Sequence, residues 1–418
     1  MRVLPLAFKS LRNRLGTALL TALTIALSVA LVLGVQRIRS EARESFASTV
    51  SGTDLIVGAR SSPVGLLLYA VFHLGDATNN VSWQSYQDIA ASPDVAWSVP
   101  ISLGDSHRGF RVMGTTADFF AHYRYGARHP LEFSAGKPFD DVYDAVLGAE
   151  VARKLGYALG SEIVLTHGTG RIGSEHKDKP FRVVGILAHT GTPVDATVAV
   201  GLAGIEAIHV DWQSGVQIPG HTVSADDARR MDLTPKTITA FLLGLKSRIA
   251  TFGVQRAIDD YDAEPLTAIL PGVALQQLWG LVGIAENALL LISALVVLVG
   301  LAGMVTALMT TLGERRREMA ILRALGAHPR LVFGLLVLEA GLLTTAGICG
   351  GLLLMYTALA FAQGFVMDAF GLALPLSPPS MLEAALLAAV LVAGLLAGAI
   401  PALLAYRRAL SDGLSLRI

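Results

Sequence analysis

The chain has 418 residues, of which 53% are hydrophobic and 16% charged, and a mean hydropathy of +0.55. A soluble protein of this size needs no such apolar excess, so membrane-spanning segments are expected. The formal net charge of zero argues against nucleic-acid binding, and a single cysteine, Cys349, excludes a disulfide framework or a paired-cysteine metal site. Cys349 lies in an apolar run and reads as a small buried hydrophobe.

A bilayer core takes roughly 20 mostly apolar helical residues. Four windows satisfy this: 15–35, uncharged throughout; 288–312; 331–361, broken only by Glu339; and 384–404, with Pro401 near its end. The first exceeds the roughly 7–15 apolar residues of a signal peptide. It has no convincing small-x-small site after it and runs into the charged, helix-favouring stretch Gln36 to Ser45, so a retained anchor is expected.

Positive charge sets the orientation. Arg2, Lys9, Arg12 and Arg14 precede the first window; Arg315, Arg316, Arg317, Arg323 and Arg330 lie between the second and third; Arg407, Arg408 and Arg417 follow the fourth. The segment 362–383 has neither Lys nor Arg. This pattern predicts cytoplasmic segments at 1–14, 313–330 and 405–418, with 36–287 and the loop 362–383 outside.

The outer segment reads as mixed α/β. Strands are expected at 109–113, 143–147, 162–166, 181–187, 237–245 and 265–270, and helices at 82–91, 149–155 and 247–261. The last helix lies between two strands, the order of a β-α-β unit. His167 to Lys179 reads as a mobile hairpin loop. Gln36 to Phe46 and Val273 to Asn287 are expected to extend the first two spans outward as a helical stalk.

Catalytic signatures are lacking. The only Gly-Lys pair, Gly136-Lys137, precedes Pro138 and lacks the earlier glycine of a phosphate loop, and there is no H-E-x-x-H or G-x-S-x-G. The informative segment is ERRREMAILRALGAHP, 314–329, read as a short amphipathic helix with Gly326 near its C-cap and Pro329 ending it. On spacing alone, a generic positive loop at the bilayer surface fits equally well.

ERRREMAILRALGA resembles the coupling-helix signature of MacB/FtsX-type (type VII) ABC transporter permeases, R-x-x-E-I-x-x-L-R-A-x-G-A. Arg315 and Glu318 begin the match, Met319 replaces the isoleucine, and Leu322, Arg323, Ala324, Gly326 and Ala327 complete it. The stretches 146–165, 181–202 and 54–73 also resemble that family. The resemblance implies four transmembrane helices per protomer and a large extracytoplasmic domain with a MacB-like porter part and a β-rich subdomain on a helical stalk.

It further implies a non-catalytic subunit that dimerises and binds two copies of a separate cytoplasmic ABC ATPase. ATP and magnesium would be held by that partner, with no cofactor in this chain. Residues Arg315, Glu318, Met319, Leu322, Arg323, Ala324, Leu325 and Gly326 would couple to it: small residues for close approach, leucines as anchors, charges for orientation. Motion of the ATPases would reach the outer domain by mechanotransmission. The expected setting is a bacterial inner membrane, multi-pass, with both termini cytoplasmic and a periplasmic domain that handles a lipoprotein, peptide or small toxic molecule. Activation of a cell-wall hydrolase, and zinc or copper handling, are the alternatives, and a periplasmic adaptor or substrate-binding protein is a further partner.

Within the spans, Glu339 is costly in lipid and is expected to face a partner helix or water. Gly347, Gly351, Gly394 and Gly398 fit close helix packing. Nine of the ten histidines fall in the outer segment: His73, His107, His122, His129, His167, His176, His189, His209 and His221. None forms an i,i+4 pair or an H-x-H, so no metal residues are assigned, with His167 and His176 the least poor guesses.

Overall fold

The computed structural model describes residues 12, 14–49, 51–168, 174–213, 216–217, 223–314, 328–370 and 376–411. It divides into two compact units, one of Met1–Glu41, Gly283–Met367 and Leu374–Ile418, the other of Ala42–Val282 and Asp368–Ala373. The principal helices are α1 (Leu15–Thr49), α2 (Pro63–Phe72), α3 (Trp83–Ala90), α4 (Ala149–Leu155), α5 (Leu202–His209), α6 (Thr251–Asp259), α7 (Pro271–Glu314), α8 (Pro329–Phe370) and α9 (Met381–Ser411). The principal strands are β1 (Leu55–Ala59), β2 (Val95–His107), β3 (Phe110–Thr115), β4 (Phe133–Gly136), β5 (Asp144–Leu147), β6 (Thr166–His167), β7 (Phe181–Leu187), β8 (Thr197–Gly201), β9 (Ala240–Leu245) and β10 (Leu266–Ile269).

Helices α1, α7, α8 and α9 contain the four membrane windows, at Leu15–Glu41, Pro271–Thr310, Arg330–Gln363 and Met381–Arg407. Their shared core includes Ile25, Val29, Leu33, Met304, Ala340 and Met355. Cys349, expected to be buried, is exposed on α8; a small hydrophobe suits a lipid-facing surface as well as a core. Helix α8 continues past residue 361 to Phe370, shortening the expected loop.

The outer unit is built on one sheet in the order β10-β1-β9-β2-β3-β8-β5-β7-β4, with β6 paired to β2. Strand β1 pairs antiparallel with both β9 and β10, so the expected β-α-β unit of β9, α6 and β10 forms with the N-terminal strand inserted into it. Register places Ile56 opposite Ile269. All five residues of LIVGA in β1 are buried, as expected for a strand covered on both faces.

Alternation divides the core. Ile56, Ile101, Met113 and Leu242 face α2 on one side. On the other, Leu55, Val57, Phe241 and Leu266 meet Ile89 of α3 and Val254 and Ile258 of α6. Further along the sheet, Ala145, Leu147, Val183 and Val198 meet Val151 of α4 and Ile208 of α5. Local signals start the helices: the Ser62 side chain accepts from the Gly65 N–H, with Pro63 at the first helical position, and α2 ends at His73 with φ 55°.

Two ends of long helices meet in this unit. The Phe46 ring lies 5.7 Å edge-on from Trp279 and 4.3 Å from Phe72, while the Arg43 guanidinium sits 5.3 Å from the Trp279 centroid. Such aromatic pairs contribute about 0.5–1.5 kcal/mol each beyond their burial.

Candidate functional site

The expected coupling residues Arg315, Glu318, Met319, Leu322, Arg323, Ala324, Leu325 and Gly326 lie outside the described residues. The helices on either side are described: α7 ends at Glu314 and α8 opens at Pro329. Pro329 therefore begins a helix, where its missing N–H has no intrahelical partner to lose.

Gly347, Gly351, Gly394 and Gly398 stand where little room is left for a side chain. A side-chain carbon on Gly347 would stand 2.5 Å from Ile25, and one on Gly351 2.7 Å from Val29, both in α1. Gly394 and Gly398 of α9 abut Thr344 and Ala340 of α8 in the same way. Without lipid-to-protein hydrophobic gain, such close backbone approach and its dispersion contacts hold helices together. Glu339 is 3% exposed and lines a small cavity with Arg14, Thr17, Thr21 and Leu308. It thus faces neighbouring helices and a cavity that holds Arg14 and two threonines, as an intramembrane carboxylate requires.

A second polar group in the membrane unit has no counterpart among the sequence expectations. Arg37 of α1 and Glu383 of α9 lie 3.3 Å apart, 4% and 3% exposed. The guanidinium also donates to the Ser377 carbonyl at 2.7 and 2.9 Å, to Ser377 Oγ at 2.9 Å and to the Pro378 carbonyl at 3.1 Å. Tyr356 of α8 donates to the same Ser377 carbonyl at 2.8 Å. Glu383 Oε2 accepts from the Ser380 N–H at 2.7 Å, while Ser380 Oγ caps the Glu383 N–H, a reciprocal capping box. Three helices are tied at one point. The S-x-x-E spacing at 380–383 is the signal from which this group was legible.

In the outer unit, the fold gathers Asp105 of β2, His167 of β6, His176 of the following turn and His209 at the end of α5. Asp105 raises the pKa of His167 above its usual value, whereas burial and then the neighbouring His209 lower that of His176 to about 4. His221 lies outside the described residues. His73 and His107 are satisfied elsewhere, His73 by Thr197 Oγ1 at 3.1 Å and His107 by the Val164 carbonyl and the Tyr157 hydroxyl. No catalytic residues are assigned.

Comparison with known proteins matches the chain to two families. Residues 18–241 match the MacB-like periplasmic core domain and residues 290–410 the FtsX-like permease C-terminal region. The pyoverdine export ATP-binding/permease protein PvdT of Pseudomonas entomophila is 26% identical over 313 residues, 69% of this chain; the chain spans 42% of that relative's length. The periplasmic region of MacB from Actinobacillus actinomycetemcomitans aligns at 11% identity and a TM-score of 0.34, covering 55% of this chain and 94% of that one. The extracellular domain of the ABC-type transporter YknZ from Gram-positive bacteria aligns at 11% identity and a TM-score of 0.31, covering 52% and 99%. With four apolar helices, a mixed α/β outer domain and both family regions in sequence, the chain belongs to the MacB/FtsX-like ABC transporter permease family.

Proposed function

We propose that this chain is the membrane subunit through which a separate cytoplasmic ATPase, bound in two copies, moves an outer domain. The subunit works as a homodimer in a bacterial inner membrane, termini inside, and exports or extracts an envelope substrate such as a lipoprotein, peptide or small toxic molecule. ATP and magnesium are held by the ATPase. Export is the direction favoured by the pyoverdine export relative.

One observation carries the reading. Helix α7 is continuous over 44 residues, from Pro271, directly after the outer strand β10, to Glu314, directly before the coupling signature. A continuous helix offers an unbroken backbone path, so movement imposed beyond Glu314 would be carried along its axis. Interface anchors of this type contribute roughly 1–3 kcal/mol, so losing one weakens ATPase docking about 5- to 150-fold.

Leu322→Asp and Gly326→Trp are expected to leave the protein inserted and dimeric while removing its stimulation of the co-purified ATPase in nanodiscs. Normal stimulation in both variants would refute the docking role.

A further inference from the structure

We propose that Asp105, His167, His176 and His209 form a binding site for a first-row transition-metal dication, with Zn²⁺ the best match. Geometry is the first argument. His167 Nδ1 lies 3.0 Å from His209 Nε2 and 3.3 Å from Asp105 Oδ1, and His209 Nε2 lies 3.7 Å from the same carboxylate oxygen. Four ligands about 2.0–2.1 Å from a tetrahedral Zn²⁺ stand roughly 3.3 Å from one another. Three atoms from three separate elements already mark one face of such a tetrahedron. All four ligand atoms fall within 4.8 Å of one another, so His176 completes the set by closing at most about 1.5 Å.

The hydrogen-bond inventory is the second argument. His209 Nδ1 lies 2.8 Å from the Ile205 carbonyl. A carbonyl only accepts, so Nδ1 carries the hydrogen and Nε2 presents its lone pair to the cluster. This backbone support is the arrangement that orients a metal-binding imidazole. His167 Nδ1 then has a single hydrogen to offer to two acceptors, His209 Nε2 and Asp105 Oδ1. One acceptor is always short-changed: Asp105 Oδ1 is buried and forms no well-directed hydrogen bond. A dication in place of that proton serves both acceptors and His167 together.

His176 is the third argument. Its side chain is fully buried, and neither ring nitrogen has a hydrogen-bond partner. An unsatisfied buried polar atom costs about 1–3 kcal/mol. A core position that only needed volume would be filled by an apolar residue. The nearby Lys179 Nζ, 2.8 Å from both Asp178 and Asp211, is compensated by those carboxylates and leaves the Asp105 charge to the cluster. Three imidazoles and one carboxylate suit zinc, copper, nickel or cobalt, whereas magnesium and calcium take oxygen ligands. Four protein ligands in tetrahedral reach favour zinc in a closed site.

The test uses the full-length protein, chelator-treated, in nanodiscs, with Zn²⁺ and Co²⁺ as probes and neither ATPase nor transport substrate. Its outcome is therefore independent of the transport reading. Calorimetry is expected to show one Zn²⁺ per chain, Co²⁺ to give the intense d–d absorption of four-coordination, and Zn²⁺ to raise the melting temperature. Asp105→Asn and His209→Ala are expected to lower Zn²⁺ affinity by about 100-fold or more, with the four-coordinate Co²⁺ spectrum lost. His189→Ala, outside the cluster, should bind as the parent does. His176→Leu removes no existing hydrogen bond and supplies a folded variant if the others prove unstable. Zn²⁺ binding unchanged in the cluster variants, or no binding by the parent protein, overturns the proposal.

Discussion

The two units each bury a polar cluster, and they treat it in opposite ways. In the membrane unit Arg37 pairs with Glu383 Oε1, the guanidinium finds further partners on Ser377 and Pro378, and Glu383 Oε2 accepts from the Ser380 N–H. In the outer unit Asp105 and His176 leave a carboxylate oxygen and two ring nitrogens without hydrogen bonds. Buried polar groups are retained when satisfied and are costly when not. The first cluster is complete within the chain and acts as a tie between helices. The second is balanced only by a ligand.

The largest test breaks the complete cluster. Arg37→Met strands the Glu383 carboxylate in a buried site and is expected to lower unfolding stability in detergent by about 3–5 kcal/mol. Replacing both residues by Met should recover most of that loss, because no charge is then left uncompensated. A double variant as unstable as the single one would separate the two residues energetically and remove the tie.

Next in size is a half-buried histidine that already has its partner. Burial, then the Arg111 charge, holds the His73 pKa at about 4, below its ordinary 6.5. The folded form therefore binds fewer protons than the unfolded form between these values. The stability contribution is full above pH 6.5 and is lost as pH falls toward about 4, on the order of 2 kcal/mol. Asn tolerates the left-handed backbone at this position, φ 55°, so His73→Asn should flatten that slope in tryptophan-monitored unfolding. An unchanged slope would assign the pH dependence to other groups.

The smallest effect has the opposite sign. In chelator-treated protein His176→Leu is expected to change stability by no more than about 1 kcal/mol, toward greater stability, since it relieves two unsatisfied nitrogens. A loss above about 2 kcal/mol would mean that the imidazole is already satisfied. With Arg37→Met, this variant measures the contrast directly.

What the sequence made legible follows from range. The four spans are local runs of apolar residues, and the structure carries a long helix at each. Phe181–Leu187, an alternating strand between turn residues, is observed over the expected residues. Strand β2 was not visible, because Pro100 and Gly104 interrupt its pattern and its pairing shifts register between Leu103 and Ser106. The loop from His167 to Lys179 reads as mobile from its polarity, yet His176 and Lys179 are fully buried at its base. Among the described residues, the metal-type cluster draws on β2, β6, a turn and α5, and only the pairing of β6 with β2 brings Asp105 beside His167. No linear spacing encodes that. The Arg37–Glu383 tie is equally nonlocal, although its capping box was readable from Ser380 and Glu383.

The pairing of Ile56 with Ile269 puts the start of β1 and the finish of β10 at the same edge of the sheet. A load applied through α1 and α7 would act at adjacent ends of two antiparallel strands. A pull shared by both helices carries the pair as one body, with Phe46, Trp279 and Arg43 clasping them just before the sheet begins. A pull on one helix alone would instead peel the strands apart one hydrogen bond at a time, the weakest direction in which a ladder can be loaded. Were the two helices to move, this pairing would resist their separate displacement more weakly than their joint one.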